Sequence, residues 1–343
     1  MLSLGVLDQS PVGPDGSAEA ALRRTIELAR LADRLGYSRF WVSEHHNARS
    51  LAGVSPEVLI SAVGAHTSRI RIGSGGVLLP HYSPYKVAEN FRVLEGLYPG
   101  RVDLGIGRAP GGLHLVSQAL RNGAPLSGDE RLPELLKELA AYLEIGRPLG
   151  PDHPYRELEA TPRVGTAPEV WLLGSSGFSA ALAAQFGAGF SFAHFINGEG
   201  GQDAVRYYRK HYRPGPFGSR PQVSVCVYVL CADTDEQAEW EAMAMDLRLL
   251  ANEKGEFRRP FPTPEEAAAR PYTERERASI AKNRKRMIVG GPQRVREALE
   301  AFAESYGAEE VLVVCGMSDF RLRLRSYQWL AALFPNSSER HFR

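Results

Sequence analysis

The sequence predicts an α/β protein folded as a (β/α)8 TIM barrel, and three observations carry that expectation. Short apolar, β-branched runs alternate with amphipathic stretches of helical period, eight such runs can be counted, and a length of 343 residues suits one barrel with insertions. The runs are Leu2–Leu7, Arg39–Ser43, Ile70–Leu79, Arg101–Ile106, Glu169–Leu173, Phe190–Phe195, Val223–Leu230 and Glu310–Cys315. Each is followed by a candidate helix or a helix-bearing segment. Alternation of this kind specifies parallel strands joined by crossovers, and eight strands favour closure. The expectation is one domain over residues 1–343, with insertions after the fourth and seventh strands.

The punctuation between these runs agrees with the helices. Gly36 and Gly187 follow apolar-periodic stretches where a left-handed C-terminal cap belongs, and Ser55-Pro56 and Ser83-Pro84 place a cap and an N1 proline before others. Two segments break the rhythm. Gly146–Thr166 is rich in Pro and Gly before the fifth strand, and about Asn252–Lys285 is charged and Pro-rich after the seventh. Loops that follow barrel strands lie on the catalytic face, so the second segment reads as a lid or substrate-selecting cap, with a plain surface elaboration as the alternative.

Composition narrows the partners. Lys and Arg total 41 against 40 Asp and Glu, a formal charge of +1 that supplies no field to attract nucleic acid or an anionic membrane, so small molecules are expected instead. The three cysteines, Cys226, Cys231 and Cys315, are an odd number without metal-ligand spacing, and two sit in apolar strand-like runs, which suits a reducing compartment. The opening MLSLGVLDQSP lacks a basic stretch before a long apolar region, and no run of about 18 apolar residues occurs, so a cytoplasmic location is expected rather than secretion or membrane insertion.

Five places put polar or glycine-rich sequence directly after a strand, and in a barrel these converge on one pocket. The first is Ser43-Glu44-His45-His46-Asn47. An imidazole there can move a proton or hydrogen-bond a cofactor; structural histidines are the alternative. Metal ligation is disfavoured, because adjacent residues on an extended strand point to opposite sides and the His-x-His of metal-dependent barrel hydrolases is missing. The second, Gly73-Ser74-Gly75-Gly76, weakens a strand unless something flat approaches its backbone or the strand bulges at the barrel rim. The third, Gly105-Ile106-Gly107-Arg108-Ala109-Pro110-Gly111, is a near miss to the dinucleotide fingerprint. Pro110 stands in the third-glycine region, no clear helix opens there, and no acidic residue completes the motif, so a Rossmann site is excluded. What remains is Arg108 on a glycine-rich turn, a bidentate phosphate ligand or a surface arginine. The fourth, Leu173–Ser179, opens a helix with free N–H groups and hydroxyls, an anion site or an ordinary cap. The fifth, Ala193-His194-Phe195-Ile196-Asn197, mixes aromatic and polar residues of the pocket-lining kind. With Phe192 and Tyr82 it suits an apolar organic substrate.

Taken in order, Glu44-His45-His46, the stretch from Ile72 to Pro84, the stretch from Gly100 to Arg108, and Gly174–Ser179 resemble the successive signatures of the bacterial luciferase-like, flavin-dependent oxidoreductases, over nearly the whole chain. The resemblance implies a (β/α)8 barrel, often a homodimer, that binds FMN. The usual co-substrate is reduced FMN delivered by a separate flavin reductase, and O2 is used to oxidise a small organic substrate through a flavin peroxide. By the same resemblance His45 is the catalytic histidine, with His46 and Glu44 beside it. Gly75 and Gly76 match a pair that often forms a non-prolyl cis peptide against the flavin ring. Arg108, Gly174, Ser175 and Ser176 match phosphate-binding positions, Phe178 contributes backbone, and no metal is implied. Gly107 stands where the light-emitting members carry a reactive cysteine, so light emission from an aldehyde is not expected. Alternatives on the same barrel are a reductase using F420 or NAD(P)H and a non-catalytic flavin-binding protein. Dimerisation is expected through the helices Pro56–His66 and Pro84–Leu97.

Overall fold

A computed structural model of the chain describes residues 2–108, 112–123, 131–256 and 259–335. Nine parallel strands are present: β1 (Ser3–Asp8), β2 (Arg39–Val42), β3 (Arg71–Leu78), β4 (Val102–Gly107), β5 (Glu169–Gly174), β6 (Gly189–Ala193), β7 (Val223–Cys231), β8 (Met287–Gly290) and β9 (Glu310–Val314). The helices of the first half are α1 (Ala18–Leu35), α2 (Pro56–Ala65), α3 (Pro84–Leu97), α4 (His114–Leu120), α5 (Leu132–Tyr142) and α6 (Gly177–Phe186). Those of the second half are α7 (Gly201–His211), α8 (Asp235–Glu253), α9 (Pro264–Ala269), α10 (Glu274–Arg284), α11 (Pro292–Tyr306) and α12 (Phe320–Leu333). No helix among the described residues is long and apolar enough to cross a membrane.

Strands β1 to β7 pair in sequence, β6 pairs with β7, β7 with β9, and β9 with β1, so eight strands close the barrel. All eight sequence runs fall on these strands, with ends displaced by one or two residues. Strands buried on both faces read as continuous apolar runs, as in β7, where all nine residues VSVCVYVLC are buried. The ninth strand, β8, is not anticipated by the sequence reading. Its four residues follow the charged insertion and pair with Tyr228–Cys231, while β9 takes Ser224–Tyr228 of the same strand. Gly36 and Gly187 cap α1 and α6 with φ of 79° and 71°, the left-handed conformation that glycine adopts freely. Ser55 and Ser83 stand at the N-caps of α2 and α3 with proline next, although neither side chain bonds the helix.

The insertion after β4 contains α4 and α5 and then runs through turns over 146–168, with a cis Thr161-Pro162 bond. The insertion after β7 extends α8 and adds α9, α10 and β8 before α11. Capping boxes at Thr263 with Glu266 and at Thr273 with Glu276 start α9 and α10. Phe257 and Arg258, within the expected lid, lie outside the described residues.

The floor of the barrel, at the N-terminal ends of the strands, is an ion network. Asp103 is fully buried and accepts from Arg39 Nη1 at 2.7 Å, Trp41 Nε1 at 2.8 Å and Arg71 Nη2 at 2.6 Å. Arg39 Nε also donates to Glu310 at 2.9 Å, and its guanidinium lies 4.6 Å from the Trp171 ring centroid. Burial alone would lower the Arg39 pKa, but Asp103 and Glu310 outweigh it and raise the pKa above the ordinary value. Removing the shared carboxylate would leave a buried indole N–H without its acceptor and the buried Arg39 guanidinium with Glu310 alone. Asp103→Ala is therefore expected to destabilise the fold by about 3–5 kcal/mol in denaturant unfolding, and a loss below about 1 kcal/mol would refute this role for the network.

Candidate active site

The C-terminal ends of the barrel strands open into a cavity of about 1440 Å³. Loops after β2, β4, β5, β6 and β9 and the ends of β3 and β7 form its base, while α8 and the 252–286 stretch form its outer wall. Of the sequence-predicted residues, Glu44, His45, His46, Gly75, Gly76, Arg108, Gly174, Ser175 and Ser176 all line this one space. Phe178 is not a lining residue, and its ring lies 4.9 Å from the Arg108 guanidinium. Ala109, Pro110 and Gly111 of the third motif lie outside the described residues.

The three residues after β2 divide into two kinds. Both oxygens of the buried Glu44 are engaged: Oε1 accepts from Tyr82 Oη at 2.6 Å and pairs with His46 Nε2 at 2.7 Å, and Oε2 accepts from the Leu78 amide at 2.9 Å. Glu44 thus ties the β2 loop to the end of β3 and holds His46. His45 is different. Its Nδ1 shares a hydrogen bond with Ser43 Oγ at 3.1 Å, and its backbone amide donates to the Gly53 carbonyl at 3.0 Å. Nε2 has no hydrogen-bond partner among the described residues. Burial pulls the His45 pKa down to about 4, against the opposing pull of the Glu44 carboxylate. The imidazole is therefore neutral at pH 7, with one N–H and one lone pair to offer.

Gly75-Gly76 is a cis peptide at a register irregularity between β3 and β4. A Cβ on Gly75 would stand 2.5 Å from Leu7 Cδ1, and one on Gly76 would stand 2.6 Å from the Gly105 carbonyl oxygen. Only glycine fits at Gly76, where the clash is with backbone, whereas at Gly75 Leu7 would have to move, and the bare backbone of the pair forms part of the cavity wall. Beside it, α6 begins with Ser176 as N-cap and no side-chain bond to the first turn. Asn197 Nδ2 donates to the Ser175 carbonyl at 3.1 Å and fixes the approach to that turn. First-turn amides without a side-chain cap, two serine hydroxyls and Arg108 are donor groups of the kind that can meet an anion.

The fifth motif divides. Phe195, Ile196 and Asn197 line the cavity, but His194 is a buried structural group, pairing Nδ1 with Tyr306 Oη at 2.8 Å and Nε2 with the Lys285 carbonyl at 3.0 Å. Two expected pocket aromatics are corrected. Phe192 is 1% exposed and packs on Tyr306 at 6.0 Å between ring centroids, because the pleat turns Ser191 and Ala193 inward and Phe192 toward the helices. Tyr82 borders a separate cavity of about 440 Å³ and reaches the site through Glu44 and, at 3.4 Å, His46 Nε2. Cys226 and Cys315 also line the main cavity, and burial raises the pKa of both thiols above the ordinary value.

The sequence reading misses Tyr228, Arg248 and Arg286, all of which line the cavity. A signal for Arg248 was present: it shares a helical face with the apolar Met245 and Leu249, where a solvated arginine does not belong. Among the described residues no group of His, Cys, Asp or Glu is arranged to hold a metal ion.

Comparison with known proteins gives a consistent picture. The family described as luciferase-like monooxygenase matches residues 2–310. The chain is 52% identical to the uncharacterized protein YwcH of Bacillus subtilis, over 98% of this chain and 100% of that one. It is 36% identical to the N-acetyl-S-alkylcysteine monooxygenase of the same organism, over 96% and 98%. Among solved structures, apo-MsnO8 superposes with a TM-score of 0.89 at 42% identity, covering 97% of this chain and 98% of that one.

The His45 geometry yields a titration. A depressed folded-state pKa means that neutral His45 contributes stability in full above about pH 6.5, and that this contribution is lost as pH falls through the window toward about 4. In NMR-monitored titration the His45 ring is expected to stay neutral at pH 6. Protonation near pH 6.5 or above would show that the imidazole is solvated instead.

Proposed function

The chain belongs to the luciferase-like monooxygenase family, and from that membership we propose that it is a flavin-dependent monooxygenase that uses reduced FMN and O2 to oxidise a small organic substrate. The observation that carries this reading is the convergence, in one cavity, of a half-buried histidine whose pKa is held low, a wall of bare glycine backbone and an arginine beside the uncapped start of a helix. The residues fit the cofactor. Arg108, Ser175, Ser176 and the first amides of α6 hold its phosphate, and the bare backbone of Gly75-Gly76 in the cavity wall gives its flat ring a surface to lie against. Reduced FMN, when bound, supplies the electrons that activate O2.

The remaining work falls to side chains. His45, tied at Nδ1 to Ser43, holds or moves a proton at Nε2 beside the reacting atoms. Glu44 fixes His46 and the loop, and so acts by positioning. The 252–286 wall, pinned by Glu253 to Ser279 and Asn283 at 2.7 and 2.8 Å and by Arg284 to Asp246 at 2.7 Å, keeps bulk water from the centre. Phe195, Leu249 and Phe261 offer apolar surface to the substrate. The relative named for N-acetyl-S-alkylcysteine supports a substrate of similar size. A separate reductase delivers the reduced flavin, and the protein is a homodimer through α2 and α3, where Val58 is 72% exposed with Val93 and Leu97 nearby.

Anaerobic titration with FMN, reduced FMN and reduced F420, followed by admission of O2, tests the cofactor. Preference for reduced FMN and consumption of O2 is expected; preference for F420 with no use of O2 would make the protein a reductase. His45→Ala is expected to leave FMN affinity within about threefold while lowering oxygenation of a substrate found by screening small thioethers and carbonyl compounds by about 10²–10⁴-fold, and unchanged turnover would remove His45 from the chemistry. Light scattering is expected to give twice the chain mass, falling to one with Val58→Glu, where a buried charge would oppose association; a monomeric wild type would overturn the dimer.

A further inference from the structure

Four arginines are buried among the described residues: Arg39, Arg92, Arg248 and Arg323. Three have a carboxylate in reach. Arg39 pairs with Asp103 and Glu310, Arg92 with Glu144 at 3.3 Å, and Arg323 with Asp8. Arg248, 5% exposed, has none among the described residues. Its Nη2 donates to Ser50 Oγ and its Nη1 to the Arg259 carbonyl at 3.4 Å, two neutral acceptors for a group with five N–H donors. A guanidinium taken out of water without a counter-charge is strongly unfavourable, and proteins keep one where an anion comes to meet it.

The place where that anion would sit is defined. Arg248 lines the cavity on α8, flanked by Met245 and Leu249. It lies within electrostatic range of His45 and of Tyr228, and Tyr228 is in turn within range of Arg286. Arg286 Nη1 donates to the Phe195 and Ile196 carbonyls and its Nη2 to Asn283, so it forms no salt bridge among the described residues, although the Glu253 carboxylate is within its electrostatic range. Arg248 is separate from the phosphate cradle. Arg108 and Ser175 follow β4 and β5, whereas Arg248 follows β7 and bonds the loop after β2, which in strand order is across the barrel mouth.

We propose that Arg248 receives a carboxylate of the organic substrate, so that the substrate class is a small carboxylic acid whose apolar body lies against Met245, Leu249 and Phe195, close to His45. The assignment rests on the monooxygenase reading for its reaction but not for its binding chemistry. Arg248 acts in recognition and places the rest of the molecule beside the reacting centre.

The test is calorimetric binding of acetate, propionate and benzoate, each against its neutral amide, to flavin-free protein and to protein saturated with FMN. The acids are small enough to reach Arg248 whatever the true substrate's shape. At least one acid is expected to bind about tenfold or more tightly than its amide, which corresponds to about 1.4 kcal/mol. Arg248→Gln is expected to erase that preference, Arg248→Lys to retain most of it, and neither to change FMN affinity by more than about threefold. Equal binding of acids and amides, no binding by any of the three acids, or a preference that survives Arg248→Gln would each overturn the proposal. If Arg248→Gln weakened FMN and left no acid preference, Arg248 would serve the cofactor and the proposal would fail. An acid preference in a protein that binds no FMN would sink the monooxygenase reading alone and leave the carboxylate site standing.

Discussion

The barrel closes over one buried carboxylate. Asp103 on β4 accepts from Arg39 and Trp41 on β2 and from Arg71 on β3, and Arg39 carries the link on to Glu310 on β9. Four strands are thus locked in register at the floor by groups that cannot slide without stranding a charge in the interior. The indoles of Trp41 and Trp171, edge to face at 5.6 Å, fill the space above. Everything at the opposite rim inherits its position from that register: the offset of β3 against β4 that brings Gly75 beside Gly105 is set by the pairing that begins at Ile72 and Val102.

The rim repeats the device with a different outcome. Glu44 does there what Asp103 does below, gathering a backbone amide, a phenol and an imidazole onto one carboxylate. Because His46 Nε2 is spent on Glu44, His45 is the cavity-facing imidazole held by no carboxylate, with Nε2 uncommitted among the described residues. A polar cluster fully satisfied within the protein gives rigidity, and the reactive options lie with whatever that cluster leaves over.

How much was legible follows from where the signals reside. Barrel strands are buried on both faces, so their apolar runs stand out in the chain, and all eight could be read; β8, pairing with the end of β7, has an apolar run of only three residues, Met287–Val289, directly after a charged helix. The glycine pair, the helix opening at Ser176 and the Glu44-His45-His46 triplet are local patterns and survive as patterns. Phe192 was misplaced because aromatic composition does not report pleat parity, and the register with β7 puts its neighbours, not itself, at the cavity. The solitude of Arg248 is legible only in three dimensions, since among the described residues it consists of the carboxylates that nine strands and twelve helices fail to bring near.

Strand β7 is long enough to serve two partners on the edge away from β6, β9 along its first half and β8 along its second. The insertion that walls the cavity therefore leaves the barrel from the end of β7 and returns hydrogen-bonded to that same end. Its entry and exit are stitched together by the sheet before any of its own contacts form, so the loop-closure entropy of the segment between them is already largely met. Such a segment behaves as a cassette: it can lengthen, shorten or be exchanged between barrels of this kind while the eight-stranded frame keeps its register, which separates the evolution of what is recognised from the evolution of what is done to it.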